Sequence, residues 1–137
     1  MPLISFFLMH LKIYCLENKA TVKKIVTPLK LNKKLFLKTN TDKGEEITEI
    51  TSDTKLQVGD LVRVRIELRS DRNMEFIHMK DMRASGLEPI NVLSQFKWQD
   101  GLGYYESTKD ASTNFFFSYF TQHSNHFICN INCVFFV

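Results

Sequence analysis

"LVRVRIELRS", residues 61–70, alternates without a break: Val62, Val64, Ile66 and Leu68 take one parity, Arg63, Arg65, Glu67 and Arg69 the other. Successive side chains of a pleated strand project to opposite faces, so this pattern sets an apolar row against a core and a charged row against water. Val58-Gly59-Asp60 just before it supplies a turn that marks where the strand begins.

The same period of two extends in both directions. In "LKLNKKLFLK", residues 29–38, Leu29, Leu31, Leu35 and Leu37 share a parity on which only Lys33 is polar, while Lys30, Asn32, Lys34 and Lys38 fall on the other. "NMEFIHMKDM" (73–82) and "TNFFFSYF" (113–120) are apolar on both parities, as suits strands covered on both faces, and their aromatics favour a pleated surface. Turn signals separate these runs at Thr41-Asp42-Lys43-Gly44, Ser70-Asp71-Arg72-Asn73, Ser85-Gly86 and Gln99-Asp100-Gly101. Strands at that spacing, with no helical period from residue 28 onward, predict an all-β protein, an antiparallel β-sandwich. Only residues 3–25 read as a possible short N-terminal helix.

The last stretch, "HFICNINCVFFV" (126–137), places Phe127, Cys129, Ile131, Cys133, Phe135 and Val137 opposite Asn130 and Asn132. It has the pattern of a strand but no closing turn, and an apolar strand at a bare end is a pairing liability. The expected organisation is a lead-in segment at 1–27, a sandwich domain at 28–120 and a hydrophobic tail at 121–137.

Composition narrows the function. A chain of 137 residues, 44% hydrophobic and 24% charged, has the balance of one globular domain, and its net charge of +3 is too small for a protein devoted to the nucleic-acid backbone. Nine lysines lie between Lys12 and Lys43 against Glu17 and Asp42. They suggest a basic module for anionic polymers, although strand alternation accounts for several of them as one solvated face. No run reaches the roughly 20 apolar residues of a membrane-spanning helix. "MPLISFFLMHL" at the N-terminus has no basic residue before it and no small-x-small site after it, so it is a poor export signal. Three cysteines, Cys15, Cys129 and Cys133, are an odd number and leave at least one thiol free.

The densest candidate site is "SGLEPINVLSQFKWQDGLGYYEST", residues 85–108. Gly86 and Pro89 are expected to bracket one turn and Gln99 to Gly103, with Gly101 and Gly103, to form another, as Gly59 and Asp60 do upstream. Trp98 is expected to cover a core edge, and Tyr104 or Tyr105 to pair across strands. With Lys109 and Asp110 these residues make a candidate interaction hairpin. Neither a nucleophile elbow nor a phosphate loop is present, so no catalytic residue, cofactor or small-molecule substrate is expected. His78 has titratable neighbours, Lys80 and Asp81, but no nucleophile is assigned opposite it. His123, His126, Cys129 and Cys133 are metal-ligand types, yet a strand sets the two cysteines roughly 13 Å apart, too far for one ion.

"LQVGDLVRVRIELRSDRNMEFIHMKDMRASGLEPINVLS" (56–94) followed by "GYYESTKDASTNFFFSY" (103–119) resembles the C-terminal, tenth macroglobulin domain of bacterial α2-macroglobulins. Asp81, Gly86, Leu87, Glu88, Pro89 and Asn91 match the family's turn, with Arg83-Ala84-Ser85 where Pro-Ala is usual, and the resemblance covers about residues 28–119. It implies a non-enzymatic sandwich inside a large protease-trapping inhibitor. The implied partners are other macroglobulin or thioester-type domains, with proteases met only indirectly, in a parent that works outside the cytoplasm. Family members continue past the Phe-rich strand with a Leu-Pro-x-Gly-x-Tyr turn and further strands. Residues 121–137 resemble none of that, so the resemblance implies a sandwich incomplete at its C-terminus with an unrelated tail. Many relatives also carry Arg-Asp-Asp-Arg where this chain has Lys109-Asp110-Ala111-Ser112, with a neighbouring tyrosine that shields the thioester. Tyr104 and Tyr105 lie several residues too early for that role. Cys15-Leu16-Glu17-Asn18 is one residue from the family's Cys-x-Glu-Gln thioester, but asparagine is one methylene too short to close the same ring.

Overall fold

The structure, a computed structural model, describes residues 29–121 and 126–136, together with the backbone of 11–17 and 21–24. Its strands are β1 (Leu11–Glu17), β2 (Thr21–Lys24), β3 (Leu29–Thr41), β4 (Gly44–Glu49), β5 (Leu61–Ser70), β6 (Met74–Met82), β7 (Leu87–Pro89), β8 (Gln95–Gln99), β9 (Leu102–Thr108), β10 (Ser112–Phe120) and β11 (His126–Phe135). They form a six-stranded sheet ordered β2-β1-β6-β10-β9-β8 and a five-stranded sheet ordered β4-β3-β5-β11-β7. Neighbours in both sheets pair antiparallel. The chain is an all-β sandwich.

β5 realises its alternation. Val62, Val64, Ile66 and Leu68 are at most 4% exposed and face the second sheet. Burying such side chains supplies roughly 1.5–3 kcal/mol each. The Val58-Gly59-Asp60 turn in front is built as its residues require. Gly59 sits at φ +96°, a left-handed conformation that a Cβ disfavours, and the Asp60 carboxylate accepts the Gln57 N–H at 2.8 Å. The turn is also tied to the end of β11, because Gly59 donates to the Phe135 carbonyl at 2.7 Å and Phe135 donates to that of Asp60 at 2.9 Å.

The other sheet contributes Met79 and Ile77 from β6 and Phe115, Phe117 and Phe120 from β10, all at most 1% exposed. Phe127 of β11 reaches across to them. Its ring meets Phe117 at 5.0 Å and 80°, and Tyr104 of β9 at 4.9 Å and 76°. These are the edge-to-face arrangements that aromatic quadrupoles favour.

Three expectations are corrected. Residues 11–17 and 21–24 are strands, not a helix; β1 pairs β6 from Leu11↔Asp81 to Cys15↔Ile77 and covers an edge that would otherwise stand open. Residues 3–10, 18–20 and 25, the rest of the expected helix, lie outside the described residues. The lead-in therefore belongs in part to the sandwich. So does the C-terminal stretch: β11 is not a tail but an inner strand, lying between β5 and β7 and in register with β5 from His126↔Arg69 to Val134↔Leu61. Its Phe127, Cys129 and Cys133 are buried at 1%, 6% and 1% exposure. The alternation of apolar residues with Asn130 and Asn132 was the signal. The missing closing turn misled because β11 pairs with strands remote in sequence, which no local turn announces.

Candidate interaction surface

β8 and β9 form a two-residue hairpin. Asp100 and Gly101 at its tip have φ of +49° and +78°, the pair of left-handed conformations a type I′ turn needs. Gly103, expected in the turn, lies instead within β9. A Cβ there would come within 2.9 Å of the Phe96 ring and 3.2 Å of the Trp98 ring, so this glycine makes room for two aromatics folded over it. Gly86 is not among the left-handed glycines. Leu87, just after it, donates to the Ala84 carbonyl at 3.0 Å, and Pro89 ends the short edge strand β7, where a missing N–H breaks no ladder.

The hairpin register sorts its side chains by face. Lys97 and Glu106 point inward and pair at 2.9 Å. Tyr104, opposite Lys97, is also inward and 4% exposed, so it belongs to the core and is unavailable to a partner. Burial and the neighbouring Glu106 charge push its phenol up to about 12, keeping it protonated. Trp98 does not cover a core edge: it stands on the outer face at 73% exposure, with Phe96 beside it at 57%.

Across the outer face of the six-stranded sheet, pairing places Phe96 opposite Tyr105, Tyr105 opposite Phe116, and Phe116 opposite His78. The backbone of Tyr14 continues the row on β1. Tyr105 and Phe116 are 42% and 43% exposed. The His78 and Phe116 rings stack at 4.5 Å and 9°, while Asn114 lies 3.0 Å from His78 Nε2. Phe96, Phe116 and His78 did not enter the expected hairpin surface, because register across four strands is not written in any local stretch of sequence.

Lys109 and Asp110 lie at the opposite end of β9 from Trp98, so the expected hairpin site does not converge. Their turn is shaped from elsewhere. The Arg83 guanidinium donates to the carbonyls of Lys109 at 2.8 Å and Asp110 at 2.7 Å and to the Thr113 hydroxyl at 3.0 Å. The Arg83 N–H bonds the Ala111 carbonyl at 2.8 Å.

The remaining candidates are distributed. β11 turns Cys129 and Cys133 into the interior and His126 outward, where its Nε2 is 3.7 Å from Glu67. The two cysteines and His126 therefore face opposite ways, and His123 lies outside the described residues. Burial holds both thiols in the protonated form, with nearby carboxylates adding to the effect on Cys129. The backbone at Cys15 and Glu17 is extended in β1, and Asn18 is not described. The lysines of the first third divide between two layers. Those of β1 and β2 belong to the six-stranded sheet, whereas Lys30, Lys34 and Lys38 share the outer face of the five-stranded one with Arg63 and Arg65. Lys34 is paired to Glu49, and Lys38 and Arg63 both to Glu45. A cavity of about 730 Å³ opens on the inner side of the five-stranded sheet, walled by Leu35, Ile50, Leu56, Val62, Leu87 and Phe135. No helix of the described residues is long and apolar enough to cross a membrane.

Two packed sheets with a ring-bearing outer face define a structural β-sandwich domain. The family model described as the bacterial alpha-2-macroglobulin MG10 domain matches residues 29–134, and the chain belongs to that family. The match runs through β11, which takes most of 121–137 into the domain as the sheet does. Neither the curated proteins nor the solved structures provide a match.

Proposed function

We propose that this chain is a non-enzymatic docking domain of a macroglobulin-like protease-trapping inhibitor, packing its six-stranded sheet against a neighbouring thioester-type or macroglobulin domain and meeting proteases only through that assembly. The supporting observation is the row of exposed Phe96, Tyr105 and Phe116, continued by the half-buried His78 and flanked by Trp98. A contiguous apolar patch on a sheet face marks an interaction site more often than chance exposure does, and aromatic residues dominate interface energetics. The Lys109–Asp110 turn, held by Arg83, is a second contact point at the far end of β9. The basic-module reading has less support, since Glu45, Glu49 and Glu67 sit among the cations of the five-stranded sheet and would meet any polyanion.

The test is binding of the 137-residue chain to a bacterial α2-macroglobulin lacking its own MG10 domain. Saturable binding that Phe116→Lys weakens by about tenfold or more supports the reading. No binding, or binding indifferent to Phe116→Lys and Tyr105→Lys, overturns it.

A further inference from the structure

β8 is the last strand of its sheet, and the structure assigns to it a second role: we propose that β8 pairs antiparallel with the β8 of another copy of this chain, joining two six-stranded sheets edge to edge. The proposal concerns the edge of the sheet and stands independently of docking through its face.

The backbone geometry comes first. In a two-residue hairpin the residues flanking the loop, Gln99 and Leu102, form a hydrogen-bonded pair, and such pairs alternate along the ladder. Lys97↔Tyr104 and Gln95↔Glu106 are then bonded as well, whereas Trp98↔Gly103 and Phe96↔Tyr105 are not. The N–H and C=O groups of Phe96 and Trp98 therefore point away from β9 toward the open side, where no described strand pairs with them. The next hairpin agrees: Lys109 and Ser112 exchange bonds at 2.8 and 3.4 Å, which puts Tyr105 in a bonded pair with Phe116 and leaves it none to share with Phe96.

Those outward groups suit a copy of themselves. A two-fold axis beside Lys97 sets Phe96 opposite Trp98 of the partner and Trp98 opposite its Phe96, closing about four hydrogen bonds and stacking two aromatic pairs on the outer face. Edge strands are commonly protected by charged side chains, inward-pointing ones included, because pairing would bring like charges together. The one charged residue between Leu93 and Gln99 is Lys97; the axis sets it opposite the Lys97 of the other copy, and the Glu106 carboxylate at 2.9 Å compensates the charge in each copy, which lowers that repulsion. The loop that carries the chain from β7 to β8, along the same side of the sandwich, adds Ile90, Val92 and Leu93 at 54%, 64% and 70% exposure. With Phe96 and Trp98 these side chains offer on the order of 500 Å² of apolar surface per copy. Buried completely in both copies they would give about 1,000 Å², the lower bound for a specific interface.

Trp98 is the only tryptophan, so its fluorescence reports on this edge alone. Sedimentation velocity and Trp emission are followed together as the full chain is concentrated from low to high micromolar. The expected result is a monomer–dimer equilibrium with an emission blue shift that tracks the dimer. Phe96→Pro removes an outward donor without breaking a β9 bond, and Phe96→Lys adds a protecting charge; each is expected to weaken the dimer at least about tenfold. Phe116→Lys, on the face, is expected to leave it intact. A chain that stays monomeric with unchanged emission overturns the proposal. So does a dimer that survives both Phe96 variants or is lost on Phe116→Lys.

Discussion

Lys33 of β3 and Asp81 of β6 meet across the interior of the sandwich, Nζ to Oδ1 at 2.5 Å, with each side chain only 6% exposed. Lys33 is the single polar residue on the inward parity of residues 29–37, and this is its reason: it reaches the opposite sheet. Removing one member strands the other charge in a dry core. Lys33→Met is expected to lower stability by about 3–5 kcal/mol, whereas Lys33→Met with Asp81→Leu should recover most or all of it. Urea unfolding of the four proteins gives the cycle. A single-variant loss below about 1 kcal/mol would mean that water reaches the pair.

Asp81 also sets a pH dependence. Burial is the dominant influence and raises its carboxyl above the ordinary 3.8, with Lys33 opposing. The folded form then holds the proton more tightly than the unfolded form. Its stabilising contribution is complete below the unfolded value and is lost as pH rises through the folded one. Compared with Asp81→Asn, the native chain should therefore lose relative stability as pH climbs from 3.8 into the mildly acidic range. A relative gain over that interval would show that Lys33 outweighs burial.

Cys129 and Cys133 are closed to reagents by packing and by their protonated state. In a Cys15→Ser chain, a thiol-directed disulfide reagent should find no reactive group under native conditions and two after denaturation. Labelling should proceed at the rate of global unfolding. Fast native labelling of either cysteine would contradict the placement of β11.

Ending the chain at residue 121 removes the strand between β5 and β7 together with Phe127. The expected product has no cooperative thermal transition and aggregates through the exposed edge of β5. A shortened chain that melts sharply would return β11 to the status of an appendage.

Two glycines separate conformational strain from crowding. Gly101→Ala forces a Cβ into a left-handed turn position, φ +78°, and should destabilise by about 1 kcal/mol. Gly103→Ala meets first the far ends of the exposed Phe96 and Trp98 rings. A smaller loss, below about 1 kcal/mol, is expected there with a clear change in Trp98 emission, because exposed rings can move aside.

Much of the fold was legible before any coordinates. Val62, Val64, Ile66 and Leu68 lie inward as their parity required, and the Gly59 and Gly101 turns stand where turn chemistry placed them. The family resemblance rested on residues now found in β5, β6, β7, β9 and β10 and in the turns among them. The candidate surface was legible only in part. Trp98 and Tyr105 are on it, Tyr104 is beneath it, and Lys109 and Asp110 are remote from Trp98. Phe116 and His78 could not have been joined to them without the register.

Which side of each extended segment is oily was determined by the sequence alone, because alternation is a local property of the pleated backbone and needs no knowledge of neighbours. Which strands lie side by side was decided only in the tertiary structure. Antiparallel pairing between distant segments follows from burying all the apolar faces at once. That collective choice drew β11 into its sheet between β5 and β7, brought Lys33 to Asp81, and aligned Phe96, Tyr105, Phe116 and His78 in one row.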